Sequence, residues 1–206
     1  MTTKNKIDDT QLVELAKNGD TKAFETLIKR YEDRIYSLAY RILQDKEEAY
    51  DVLQETAISA FKNIKRFKGE STFSTWITRI ALNFALMRKR KQKSLLKSAQ
   101  LLQVEDDDKL PEKLETEKLQ ATVDWSDNPS LTFEREELKE ALYDSLNKLP
   151  EKYRTVFILK ELEGRSVEEI SKILGISQSA TKTRLHRGRM YLRWLLEKYV
   201  TQGYQV

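Results

Sequence analysis

The sequence predicts an all-α fold: two small helical domains joined by a flexible acidic linker, with boundaries at 1–97, 98–130 and 131–206. Three observations predict it. The 206 residues include 34% charged and 39% hydrophobic side chains but only 6 Gly and 3 Pro, a balance rich in helix formers and poor in the punctuation of sheets. Apolar residues recur at three- and four-residue steps in both halves of the chain, the spacing of one helix face. Between the halves that pattern breaks. Segment 98–130 holds the like-charge run Glu105-Asp106-Asp107-Asp108, is interrupted by Pro111 and Pro129, and carries a net charge of −6, against +7 for 1–97 and +3 for 131–206.

Each element follows in order. Gly19, Gly69, Gly164 and Gly175 sit where helical patterns stop, the place for a residue that tolerates positive φ. A short helix over Thr10–Asn18 precedes a long amphipathic one, whose inner face is Phe24, Leu27, Ile28, Tyr31, Ile35, Leu38, Ala39 and Ile42. Asp45 and Glu48 form a capping-box pattern that opens a third helix, with Ala49, Leu53, Ala57, Phe61 and Ile64 as its expected core stripe. A loop, Lys65–Phe73, leads to a fourth helix with Ile77, Ile80, Ala81 and Phe84 inward. In the second domain Leu138, Ala141, Leu142, Ser145, Leu146 and Leu149 mark one helix. Pro150 opens another, bearing Tyr153, Val156, Phe157 and Leu162 and closed by Gly164.

Composition excludes several classes of function. With no Cys there are no disulfides, thiolate nucleophiles or Cys-ligated zinc, and the one histidine, His186, cannot build a multi-histidine metal site. A nuclease or phosphotransferase needs clustered carboxylates for metal or a phosphate-cradling glycine loop. The Asp106–Asp108 run falls in the linker, and no such glycine loop occurs. The sequence therefore predicts a protein that is not an enzyme and needs no cofactor. It holds no run of about 18 apolar residues, and Met1–Asp9 lacks the apolar stretch of a secretory signal. A cytoplasmic location without membrane insertion is expected.

The segment Ser166–Arg189 is the most specific signal. Ser166 and Glu169 have capping-box spacing, Ile170, Ile173 and Leu174 face inward, Gly175 turns the chain, Ile176 fills the corner and Ser177 caps the next helix. That is the spacing of a helix-turn-helix. In its second helix Thr181, Leu185 and Gly188 fall inward, which leaves Gln178, Ser179, Lys182, Thr183, Arg184 and Arg187 as candidates for contact with duplex DNA. Such side chains read base edges in a major groove and hold phosphates.

The first domain carries two further patterns. Asp51, Gln54 and Glu55 lie three and four residues apart, so they share a face that suits a basic partner protein. Arg79, Arg88 and Arg90, with Lys89, Lys91, Lys93 and Lys97, load the fourth helix with cations, while Phe67, Phe73 and Trp76 bracket the preceding loop. Rings that stack bases beside cations that track phosphates suit single-stranded nucleic acid; Phe73 and Trp76 are equally suited to a domain core.

Taken together, Asp51-Val-Leu-Gln-Glu-Thr56, Phe67-Lys-Gly-Glu-Ser-Thr-Phe-Ser-Thr-Trp76, Ile80-Ala-Leu-Asn83 with its basic run, Leu149-Pro-Glu-Lys-Tyr-Arg154 and the helix-turn-helix resemble an extracytoplasmic-function sigma factor, of the sigma-70 family of bacterial RNA polymerase. The likeness spans about Asp8 to Leu196. It implies that the first domain is sigma region 2, docking on core RNA polymerase through Asp51, Gln54 and Glu55. It implies that the Lys68–Thr75 loop (Lys68, Ser71, Thr72, Phe73 and Thr75), with Trp76, captures a base flipped from the minus-ten element of promoter DNA. Arg79, Asn83, Arg88 and Arg90 are then expected at the duplex–single-strand junction. The second domain is implied to be region 4, reading the minus-thirty-five element through the helix-turn-helix. The resemblance further implies an anti-sigma factor partner, and the free chain is expected to be a monomer. Two residues depart from the family pattern: Thr181 replaces an aliphatic residue and Gly188 an alanine. A stand-alone helix-turn-helix regulator is the competing reading; it needs no polymerase and normally dimerises on a palindrome.

Overall fold

The computed structural model describes the backbone of residues 7–100 and 136–203, and the side chains of 7–95 and 142–196. The linker expected over 98–130 lies, from residue 101 onward, outside the described residues. Every regular element among them is helical: α1 (Asp9–Lys17), α2 (Thr21–Leu43), α3 (Lys46–Asn63), a 3₁₀ turn (Ile64–Arg66), α4 (Phe73–Gln100), α5 (Glu136–Lys148), α6 (Glu151–Phe157), a π turn (Ile158–Leu162), α7 (Val167–Leu174) and α8 (Gln178–Gly203). They divide into two compact units: α1–α4 with Glu168–Ile176 in one, α5, α6 and α8 in the other.

In the first unit, short polar side chains start the helices. The carboxylates of Asp8, Asp20 and Asp45 accept from the backbone N–H of Gln11, Ala23 and Glu48 at 2.7, 3.0 and 3.0 Å, each satisfying a donor the helix cannot pair itself. Gln44 closes α2 in the left-handed conformation, with φ of 58°. α2 packs against α1, α3 and α4 through Phe24, Leu27, Ile35, Leu38, Ala39 and Ile42, all buried as the periodicity predicts. Asp9 fixes α1 to α2 by accepting from Tyr31 and pairing with Arg30 at 2.8 Å.

Two stripes differ from expectation. On α3 the buried residues are Ala49, Val52, Leu53, Thr56 and Ala60, whereas Phe61 is 52% exposed, its ring edge touching Phe24 at 5.1 Å between centroids. At about 100° per residue, repeated four-residue steps drift by about 40° each, so Phe61 stands about 120° round from Ala49. On α4, Leu82 is buried together with Ile77, Ala81 and Ala85, while Ile80 and Phe84 are half-buried. Because α4 packs against α1, α2 and α3, it is covered on more than one side.

The second unit has its own core of Leu146, Leu149, Tyr153, Phe157 and Leu192, flanked by Leu142, Tyr143, Leu162 and Tyr191. Pro150 stands one residue ahead of α6 rather than at its first position. Beyond α6 the hydrogen bonds lengthen to five residues, Glu163 N–H to Ile158 O at 3.0 Å, and Gly164 then ends the run at φ of 64°. Arg154 is buried and donates to the Asn147 carbonyl at 3.4 Å; loss of water holds its guanidinium below the ordinary range, a shift opposed by Glu151.

Candidate polymerase and DNA interfaces

On α3 the candidate docking residues emerge on one side, with Asp51 and Gln54 exposed and Glu55 half-buried. They are not alone there. Arg88 of α4 reaches across and donates to three carboxylates: to Glu48, to Asp51 at 3.2 Å and to Glu55 at 2.8 Å. These hydrogen bonds, that to Glu55 foremost, raise its pKa further above its already high ordinary value, so the guanidinium stays charged. Sequence reasoning named two of the three carboxylates and placed Arg88 with the DNA-contacting cations. The sequence pattern marks Glu48 only as a capping-box partner.

The geometry of α4 separates that cation from its neighbours. Arg79, Asn83 and Arg90 are exposed, and their spacing of four and seven residues keeps them within a narrow sector of the helix. Arg88 lies nine residues from Arg79, about half a turn away at about 100° per residue, and faces α3. One basic helix thus turns Arg88 to the α3 carboxylates and Arg79, Asn83 and Arg90 to another side.

The loop before α4 is built for its own turn as well. Thr72 caps α4, its hydroxyl accepting from the Thr75 N–H at 3.1 Å and bonding the Thr75 hydroxyl at 3.0 Å. Lys68, Gly69, Glu70 and Thr72 are exposed, and Ser71 and Trp76 are half-buried. Phe73 and Thr75, at 4% exposure each, are interior. Phe67, Phe73 and Trp76 pack mutually with centroid separations of 5.1 to 6.1 Å, Tyr31 joins at 5.5 Å, and Lys17 sits over the Phe67 ring at 5.7 Å. The aromatic cluster is a hydrophobic stem beneath an exposed polar tip.

The helix-turn-helix segment shows the expected turn chemistry. Gly175 has φ of 65°, the Ile176 N–H reaches the Ser171 carbonyl at 3.1 Å, and the Ser177 hydroxyl accepts from the Ala180 N–H at 3.1 Å. Ile170 and Ile173 are buried on α7. On α8, Thr181, Leu185 and Gly188 face inward as predicted. The two departures have physical reasons. Thr181 is buried at no polar cost because its hydroxyl donates to the Ser177 carbonyl at 3.0 Å. Gly188 leaves room for α6: a Cβ there would meet the Tyr153 carbonyl oxygen at 3.4 Å and Leu149 at 3.7 Å. Gln178, Ser179 and Lys182 are exposed, and Thr183, Arg184 and Arg187 are half-buried. Among the described residues no acidic or histidine cluster could hold a metal ion, and no helix is long and apolar enough to cross a membrane.

Comparison with known proteins gives this arrangement a family. The Sigma-70 region 2 model matches residues 27–95, and the Sigma-70 region 4 model matches residues 139–192. The chain is 37% identical over 191 residues to the ECF RNA polymerase sigma factor SigW of Bacillus subtilis, covering 88% of this chain and 92% of that protein. It is 34% identical over 183 residues to the ECF RNA polymerase sigma-E factor of Haemophilus influenzae, covering 89% and 92%. Among solved structures, CnrH in complex with the cytosolic domain of CnrY shares the fold with a TM-score of 0.64 at 22% identity, over 92% of this chain and 97% of that one. The sigma factor RpoE of Bartonella quintana, in complex with the anti-sigma factor NepR, does so with a TM-score of 0.60 at 20% identity, over 85% and 98%. The chain belongs to the extracytoplasmic-function sigma factors of the sigma-70 family.

Proposed function

We propose that this protein is an alternative sigma factor that binds core RNA polymerase and directs promoter-specific initiation, with residues 1–97 acting as region 2, 131–206 as region 4 and 98–130 as the tether. The observation that carries this reading is the presence of both region models in order on one chain of sigma-factor relatives. The α3 patch of Asp51, Gln54 and Glu55 is the polymerase docking face, because a carboxylate patch that already accepts one guanidinium is chemically fit to accept cations from a partner. The exposed tip Lys68–Thr72 takes the unpaired base of the minus-ten element, with Trp76 at its edge, and Arg79, Asn83 and Arg90 hold the adjoining backbone. The exposed face of α8 reads the minus-thirty-five element. The chain supplies binding energy and polymerase supplies the chemistry. An anti-sigma factor is its natural regulator, in keeping with the sigma factor RpoE of Bartonella quintana, which was captured with one.

Run-off transcription with purified core polymerase tests the proposal. Addition of the full chain should yield transcripts from defined start sites, and Asp51→Lys should weaken core association about tenfold or more. A chain that binds DNA but never confers initiation would instead be a stand-alone regulator.

A further inference from the structure

The cations of the second unit fall into two populations. Arg189 of α8 is held by Glu161 at 2.5 Å. By contrast Lys152, at the start of α6, and Arg184 and Arg187 of α8 line one solvent-open cleft of about 480 Å³ with Ser177, Ser179 and Thr183. Among the described residues none of these three cations has a carboxylate partner. Like charges gathered in one cleft repel unless an anion joins them. The fold holds them together by close packing: the missing side chain of Gly188 lets α8 approach the backbone of α6 at Tyr153, and the Lys152 ammonium is steered over the Tyr153 ring at 5.2 Å. Three cations and three hydroxyls around a cleft beside a DNA-reading helix suit a backbone phosphate.

We propose that this cleft is a phosphate-binding site for duplex DNA and that Lys152 is a further DNA contact. The proposal rests on the sigma-factor reading for its choice of ligand. Lys152 supplies charge from outside the helix-turn-helix, and it fixes the depth and register at which α8 enters the groove without reading a base. Its contribution is independent of sequence and strongly dependent on salt.

The test measures the affinity of holoenzyme, reconstituted from core polymerase and the full chain, for the template that supports run-off, across a range of salt concentrations. The same measurement is made on the free full chain with a mixed-sequence duplex of about 25 base pairs, long enough to cover one recognition element and its flanks. Lys152→Gln should lower the slope of log affinity against log salt by about 0.9 and weaken binding about fivefold at 0.15 M salt, leaving the order of preference among promoter variants intact. Lys152→Arg should restore the slope. Lys148→Gln, an equal change of charge at an exposed residue of the same unit outside the cleft, should leave it unchanged. An unaltered slope in Lys152→Gln, or an equal fall in Lys148→Gln, overturns the site. Loss of slope on the mixed duplex with no initiation from any template keeps the site and overturns the sigma-factor reading.

Discussion

Single residues show where stability is held back and where it is concentrated. Thr56 is fully buried on α3, and among the described residues its hydroxyl has no hydrogen-bond partner. Thr56→Val removes an unpaired polar atom at constant shape, so the midpoint of urea unfolding should rise, by about 1 kcal/mol in stability. Arg88 is the opposite case, one side chain, 20% exposed, satisfying Glu48, Asp51 and Glu55 together. Arg88→Ala should cost about 1–2 kcal/mol after allowance for solvent screening, and Arg88→Lys should recover only part, because an ammonium cannot present the planar fork. Chemical denaturation of the three proteins checks both statements. The Arg88 network was beyond the reach of sequence reading, since its partners are separated by 33 to 40 residues.

Elements were legible to the extent that their signals are local. The caps at Asp45 and Ser177, the positive-φ turn at Gly175 and the inner face Thr181, Leu185 and Gly188 all depend on neighbours within a turn or two, and the structure has them as read. The α3 stripe differs from expectation because four-residue steps drift round the helix, and α4 is buried on more sides than its pattern predicts because nothing in its own sequence reports how many helices surround it. Lys152 carries no local signal for its position, since its place beside α8 depends on the α6–α8 packing. That packing can be tested at Gly188. Gly188→Ala should be close to neutral, because a gain in helix propensity of about 1 kcal/mol offsets a tight 3.4 Å contact. Gly188→Val adds branches that the Tyr153 carbonyl cannot accommodate and should cost about 1–3 kcal/mol, read as a lower thermal midpoint. At Gly175 any side chain must adopt a φ of 65°, so Gly175→Ala should destabilise the turn by about 1–2 kcal/mol.

At the scale of the whole molecule, two different ligands are expected on different faces, and variants should separate them. Arg187→Glu should abolish selective initiation while core polymerase is bound as before, because the charge reversal falls on the proposed duplex contact and leaves the proposed docking face on α3 untouched. Asp51→Lys should depress both readouts in proportion, since a factor that fails to join polymerase cannot deliver it to a start site. Pull-down with core enzyme and run-off on one template, measured side by side, give the two quantities. The grouping of cations along the chain made nucleic acid a legible partner from the outset. Which helix face each cation serves depends on where the chain has wound by the time it reaches that residue.

If α3 is the docking face as proposed, the bridge from α4 also sets the terms on which polymerase is met. Three carboxylates sharing one guanidinium leave an excess of two negative charges in place of three. An arriving arginine therefore either competes for oxygens already in use or settles beside them, on carboxylates that keep 36 to 57% of their surface in water.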